Sequence, residues 1–300
     1  MRIIILSKGP GNYSTRRLKE VARLRGHEVR VINHAACYVT VEKSKPVVRY
    51  KGEDITDVDV IIPRIGQSIT RYGTAILRQF EMQGVYTTAS SIAINRSRDK
   101  LRTVQLLARA GVGIPKTVFA RETTDLEDVI EQAGGTPLII KVVRGTQGNG
   151  VVLAETKKAA QAVMQAFYVE GVNFLVQEFV AESAGEDIRA IVVGGKVVAS
   201  MKRQSLDDDF RSNLHQGGEG SAVKLTDEER KTALKAARTM GLPICGVDMM
   251  RSARGPLVLE VNSSPGFGIE KVTGRDVATK IIEYVEQNAK GKHRKDRIGA

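Results

Sequence analysis

Three oxygen-bearing residues carry the first chemical signal. In GPLVLEVNSSPGF (255–267), Glu260 and Asn262 stand two apart within a run of strand-forming apolar residues. Side chains two apart share one face of a strand, so Leu259 and Val261 take the other. The preceding run GVDMMRSARGP holds Asp248. A three-residue turn at Ala253, Arg254 and Gly255, with Gly255 left-handed, would set Asp248 directly across from Glu260. Opposed carboxylates repel unless a cation lies between them. An all-oxygen set that includes the Asn262 amide favours Mg²⁺ or Mn²⁺ over zinc. The plain alternative is a solvated sheet edge whose charges prevent association.

The second signal is RGTQGNG (144–150), in which Gly145, Gly148 and Gly150 lie between two apolar strands. Backbone N–H groups of such a loop can close over phosphate oxygens, although an ordinary hairpin carries the same residues. No GxxxxGK[ST] run occurs, and the loop joins strands rather than opening a helix, which removes the P-loop and weakens a dinucleotide-binding reading. Lys141 ends the strand PLIIK beside this loop and can meet a phosphate as a compact point charge. Lys100 opens the helix DKLRTVQLLA with less local support. Gln177, Glu178 and the backbone at Phe179 follow an apolar strand and could border the edge of an adenine ring. Asp187 and Arg189 share one face of DIRAIVV, and Arg203 ends the partner strand. With Arg211, these arginines suit anionic reactants, which guanidinium grips bidentately. Asp207, Asp208 and Asp209 read as solvated loop acids, and His215 has no second ligand at metal spacing. No Ser/His/Asp or Cys/His nucleophile set is evident.

The elements that must position these residues follow from hydrophobic period. RIIIL, RRLKEVARLRG and HEVRVI read as strand, helix and strand, with VDVIIPRIG a further strand, so residues 1–95 form a small α/β lobe with a parallel sheet. A helix with Leu101, Val104, Leu107 and Ala108 on one stripe opens the second part. Beyond it strands outnumber crossover helices, Gly194-Gly195 marks a tight hairpin, and the architecture becomes α+β with mixed and antiparallel sheets.

Bulk properties bound the rest. The 300 residues carry a net charge of +12, and the run KGKHRKDR near the end supplies +4 of it, leaving about +8 on the body. That surplus favours polyanionic partners without choosing among them. The 5% aromatic content without Trp offers few base-stacking platforms, which counts against a single-strand reader. Two cysteines, Cys37 and Cys245, make no disulfide framework, and no 18-residue apolar run occurs, so a reducing, cytoplasmic setting without a membrane is expected.

The order of these parts is more specific than any one of them. A helix lysine, a strand-ending lysine with a glycine loop, VQEF, DIR, FRSN, VD and EVNSSPG resemble the ATP-grasp ligases across residues 95–290. Within that superfamily the chain is similar to the RimK-type α-L-glutamate ligases, a likeness that reaches the first lobe through Pro63-Arg64-Ile65-Gly66, RQFEM and RDKLR. The resemblance implies an N-terminal pre-ATP-grasp domain over 1–95, an ATP-grasp domain over 96–290 with its glycine-loop lobe near 115–180, and a basic tail over 291–300. It implies nucleotide contacts from Lys100, Lys141, Glu178, Phe179 and Asp187, with Arg211, Ser212 and Asn213 adding to them, and metal contacts from Asp248, Glu260 and Asn262. Gln177 and the glycines Gly145, Gly148 and Gly150 join the nucleotide set.

The activity so implied is addition of L-glutamate to the C-terminus of a small-subunit ribosomal protein. It consumes ATP with Mg²⁺ or Mn²⁺, two ions being expected, through an acyl phosphate, in a homo-oligomer that the resemblance makes a tetramer. Lys141, Arg203 and Arg211 would stabilise transferring charge, and Arg64, Arg189 and Arg203 would clamp substrate carboxylates. Poly-α-glutamate is a further expected product. The competing readings are another ATP-grasp ligase, acting on an amino-group carrier protein or a deazaflavin coenzyme, and a ribosome-binding protein switched by nucleotide.

Overall fold

The structure, a computed structural model, describes residues 1–43, 45–121, 125–143, 150–183, 185–205 and 219–289. The chain opens with β1 (Arg2–Ser7), α1 (Tyr13–Leu24) and β2 (Glu28–Ile32), then a small antiparallel sheet of β3 (Cys37–Glu42), β4 (Lys45–Tyr50) and β5 (Glu53–Asp54). β6 (Val60–Arg64), α2 (Thr70–Met82) and β7 (Tyr86–Thr87) complete a parallel sheet ordered β2-β1-β6-β7. The run RIIIL is apolar throughout because both faces of β1 are covered. Ile4 and Leu6 enter one core, and Ile3 and Ile5 enter another.

α3 (Ser91–Arg98) and α4 (Lys100–Arg109) follow, and Lys100 opens the second of them as expected. Asp99 separates them: its backbone is extended, and its side chain accepts from the Arg102 N–H as the cap of α4. The break matters to the site because it aims Arg98 and Lys100 from two helix ends. Ala108, expected on the buried stripe, is exposed, while Thr103, Val104 and Leu107 are buried.

The middle lobe holds β8 (Thr117–Ala120), α5 (Leu126–Gln132), β9 (Leu138–Val142), β10 (Val151–Ala154), α6 (Lys157–Val169) and β11 (Phe174–Glu178). Its sheet, ordered β10-β9-β11-β8, has a core of its own in which Ile130, Leu138, Ile140, Met164 and Phe174 are buried. The last lobe centres on a five-stranded antiparallel sheet ordered β14-β13-β12-β15-β16. Its strands are β12 (Glu186–Val193), β13 (Lys196–Gln204), β14 (Glu219–Ala222), β15 (Ile244–Ser252) and β16 (Gly255–Asn262). Gly194 and Gly195, both at positive φ, join β12 to β13 as expected.

α7 (Asp227–Met240) starts on a capping box between Thr226 and Glu229 and covers one face of this sheet, while α8 (Gly268–Thr273) and α9 (Val277–Asn288) cover the other. The two larger cores each unite this sheet with the N-terminal parallel sheet, so the first and last lobes pack as one body. Among the described residues no helix is long and apolar enough to cross a membrane.

Candidate functional site

The hairpin of β15 and β16 pairs Asp248 with Glu260 and Gly246 with Asn262. The opposition expected from sequence is present, but its cause differs. The turn is two residues, Ala253 and Arg254, because Ser252 already pairs with Gly255. A turn of that length would set Leu259 opposite Asp248. A β-bulge between Asp248 and Met249 shifts the register by one residue and brings Glu260 there instead.

The same row continues across the sheet. Arg189 on β12 lies directly opposite Asp248, and Arg203 on β13 lies opposite Asp187. Arg189 grips Asp248 in a fork, Nε to Oδ1 at 2.7 Å and Nη2 to Oδ2 at 2.5 Å. Arg203 donates from Nε to Asp187 Oδ1 at 2.6 Å and from Nη2 to Asp187 Oδ2, and the same Nη2 lies 3.0 Å from Asp248 Oδ2. Both carboxylates and Arg203 are buried.

Burial alone would raise the Asp248 carboxyl, but the Arg189 and Arg203 guanidiniums outweigh it and hold the group well below the usual carboxylate range. Burial likewise opposes the charge on Arg203, and Asp248 and then Asp187 restore it, leaving the guanidinium firmly ionised. Glu260 differs. It keeps 55% of its side-chain surface open, with Arg189 Nη2 at 3.8 Å from Oε1. Shielding by the surrounding walls, and next the Asp248 charge, push its carboxyl up against the pull of Arg189. Asn262 is half-buried, and its Oδ1 accepts from the Ser264 N–H at 3.0 Å.

Facing this acidic row are cations that make no ion pair among the described residues. Lys100 Nζ donates to the Val142 carbonyl at 2.8 Å, tying α4 to β9. Lys141, one residue earlier on β9, is pushed down to about 8, first by burial and then by the Lys100 charge, with Glu260 opposing. Burial also lowers Lys100, again with Glu260 opposing. Neither lysine makes an ion pair among the described residues. Two half-buried arginines share this trait among the described residues. Arg64 donates from Nη2 to Ser14 Oγ at 2.9 Å and to the Pro265 carbonyl at 2.7 Å, with its guanidinium 5.2 Å from the Phe267 ring centre. Arg98 donates to the Ile65 carbonyl at 2.8 Å. Glu260 draws on Arg98 as it does on both lysines, so these charges belong to one cluster.

Other expected site residues fall as follows. Gln177 is buried and donates to Thr117 Oγ1 at 2.8 Å, and Phe179 beyond β11 is half-buried. The Glu178 carboxylate accepts from the Lys116 N–H at 2.7 Å and from Arg254 Nη2 at 2.5 Å, so its side chain pins the strand end. Gly150 sits at φ 74° beside Val142, where a Cβ would come within 2.3 Å of Cγ2. Gly145, Gly148, Arg211, Ser212 and Asn213 lie outside the described residues, as do Asp207 to Asp209, His215 and the tail 291–300. Arg189 and Arg203, expected as substrate clamps, each turn Nε and Nη2 onto the protein's own carboxylates, Asp248 and Asp187. Sequence reading passed over Arg98, Ser14, Ser263 and Ser264. The available signal was adjacency, since Arg98 is two residues before Lys100 and the serines directly follow Asn262.

Comparison with known proteins adds the lineage. A model described as the RimK PreATP-grasp domain matches residues 1–94, and one described as the RimK-like ATP-grasp domain matches residues 97–285. The chain belongs to the RimK-like ATP-grasp family. Membership places it among the ATP-grasp ligases, as enzymes rather than binding modules. A relative from Nitrosococcus oceani, named probable alpha-L-glutamate ligase, is 58% identical over 290 residues, 96% of each chain. A relative of the same name from Teredinibacter turnerae is 56% identical over 298 residues, 99% of each. Among solved structures, the ATP-grasp ligase PsnB with its minimal precursor superposes with a TM-score of 0.75 at 21% identity, covering 95% of this chain and 98% of that one. D-alanine–D-alanine ligase from Bacillus anthracis gives 0.66 at 16%, covering 96% and 97%. At such identities the likeness is one of fold, and the fold is that of the RimK-like ATP-grasp enzymes.

Proposed function

We propose that this enzyme activates the C-terminal carboxylate of a peptide or protein with ATP and joins it to the amine of L-glutamate, releasing ADP and phosphate. The observation that carries the reading is the meeting of an all-oxygen row, Asp248, Glu260 and Asn262, with two desolvated lysines that make no ion pair among the described residues. The names of the relatives supply glutamate.

The donor set fits a divalent cation. Its three groups offer oxygens, Glu260 is open, and its carboxyl is raised by desolvation first and by the Asp248 charge next, both of which a bound cation would offset. Asp248, Glu260 and Asn262 would hold Mg²⁺, with two ions in the complete site, and the ions would screen the phosphate oxygens from the attacking carboxylate. The remaining work falls to the chain. Lys100 and Lys141 hold phosphate and offset charge as the γ-phosphoryl moves from ATP to the carboxylate, giving an acyl phosphate. Arg189 and Arg203 keep Asp248 ionised and fixed. The glycine loop closes over the phosphates, because water reaching an acyl phosphate would waste it. The amine of glutamate then attacks the acyl carbon, an amide forms and phosphate leaves.

The net positive body suits an acidic acceptor, and the C-terminal tail of a small-subunit ribosomal protein is the acceptor we assign, in the cytoplasm and in a homo-oligomer. Mass spectrometry after incubation with ATP, Mg²⁺ and L-glutamate, with and without ribosomal extract, tests this. Increments of one glutamyl residue on a C-terminal peptide are expected. ADP release with no glutamyl product on any protein or peptide would overturn the assignment.

A pH dependence follows from Lys141. Its ammonium titrates near 8 in the free enzyme and must titrate higher beside phosphate, since an anion favours the charged form. ATP affinity is therefore flat below about pH 8 and falls above it, because the free enzyme loses the proton that the complex retains. Calorimetry at pH 8.5 in buffers of different ionisation enthalpy should show proton uptake on ATP binding. Lys141→Arg, whose charge does not titrate in this range, should show none from this position.

A further inference from the structure

The proposed reaction brings in an amino acid whose own carboxylates must not react, and nothing so far holds them. Beside Asn262, Ser263 is buried and its Oγ has no hydrogen-bond partner; the Ser264 Oγ is likewise buried and unpartnered. The next residue, Pro265, gives its carbonyl to Arg64. Arg64 is joined through the backbone of Ile65 to Arg98, whose Nε is a third buried donor without a partner. The serine turn, Arg64 and Arg98 thus form a continuous patch of neighbours where the first lobe meets the end of β16.

Several features single this patch out. Buried hydrogen-bonding groups are nearly always satisfied, and an exception asks for an explanation. Two guanidiniums close enough to disfavour each other's charge, without a carboxylate on either among the described residues, compound the cost. Elsewhere in this protein buried arginines are neutralised: Arg203 has Asp187 and Asp248, and Arg189 has Asp248. A carboxylate is the group whose oxygens such donors answer, forked donors from guanidinium and single donors from the serines.

We propose that Arg64, Arg98, Ser263 and Ser264 form a subsite for the α-carboxylate of the incoming amino acid. The inference rests on the glutamate-ligase reading above. The reacting carboxylate of the acceptor is excluded from this position, because a nucleophile held by two guanidiniums is stabilised where it should be poised to attack. Of the two carboxylates of glutamate, the α group is the nearer to the amine, and the subsite directly adjoins Asn262, where the acyl phosphate would form. A clamp so close to the reacting centre suits the carboxylate attached to the same carbon as the amine.

Equilibrium titration of the full-length protein with L-glutamate, its α-amide and its γ-amide tests this without any variant, in the presence of Mg²⁺ and a non-hydrolysable ATP analogue. The α-amide should bind roughly ten- to a hundredfold more weakly than L-glutamate, because a neutral amide cannot answer two cations. Arg98→Lys, and separately Ser263→Ala with Ser264→Ala, should weaken L-glutamate binding and shrink that discrimination while leaving affinity for the ATP analogue intact. Equal binding of L-glutamate and its α-amide, a loss confined to the γ-amide, or no glutamate binding at all would overturn the subsite. Glutamyl transfer to a peptide without α-amide discrimination would sink the subsite alone. Discrimination without any glutamyl transfer would sink the ligase reading alone.

Discussion

Glu260→Gln should lose ligase turnover by about two to three powers of ten, the usual consequence of removing one group that stabilises transferring charge. The fold should hardly notice. Glu260 is more than half open, and the pull of Arg189, Arg98, Lys100 and Lys141 on it is outweighed by desolvation and the repulsion of Asp248, since its carboxyl is raised. A carboxyl raised in the folded state costs stability at neutral pH, so a neutral amide of the same shape should leave the melting temperature unchanged or slightly higher. ADP release and thermal melting on the same preparation check both halves. Unchanged turnover would remove Glu260 from the metal set, and a collapsed melting temperature would show that its role is in folding.

Arg203→Ala should behave in the opposite way. Its guanidinium is 4% exposed and answers Asp187 and Asp248 together, both buried. Deleting one side of a buried ionic cluster leaves the other uncompensated, which costs about 3–5 kcal/mol. Urea or guanidinium denaturation should therefore show a large loss of stability. Turnover should fall as well, because Asp248 would lose one of the two cations that keep it ionised. The KM for L-glutamate should stay within about threefold of the wild-type value, since Arg203 holds protein carboxylates and not substrate. A large rise in that KM with stability preserved would restore Arg203 to the role of substrate clamp. Combining Arg203→Met with Asp187→Leu should recover part of the lost stability, because apolar replacement of a whole buried pair is often neutral.

The contrast between Glu260 and Arg203 explains what the sequence could and could not reveal. Alternation along LEVN put Glu260 and Asn262 on one face, a property of each strand alone. The helix, strand and hairpin signals of the two larger lobes were legible for the same reason, since each is a local period or a glycine pair. Arg203 reads from sequence as a basic residue near a strand end. Only the register of β12 against β13 reveals that Asp187 sits across from it and takes its fork. A strand as short as β7, at two residues, is below the length at which any period can be counted. Adjacency to Asn262 and Lys100 was the sequence signal for Ser263, Ser264 and Arg98, whereas the partners that both serine hydroxyls and the Arg98 Nε lack are a property of three-dimensional packing.

The extra residue in β16 has a bearing on how this hairpin tolerates change. Leu259 stands outside the pairing, with Val258 opposite Met249 and Glu260 opposite Asp248 on either side of it. A chain shortened by that single leucine would still seat the two acids across from each other, having surrendered only the local curl that the surplus residue imposes. A residue added within the turn, with Ser252 still opposite Gly255, would likewise leave the acids aligned, and were the strands to slide by one instead, the leucine would re-enter the pairing and keep them so. The hairpin thus carries a built-in allowance of one residue between its tip and its working end, and loop length can drift by that amount without misplacing either carboxylate.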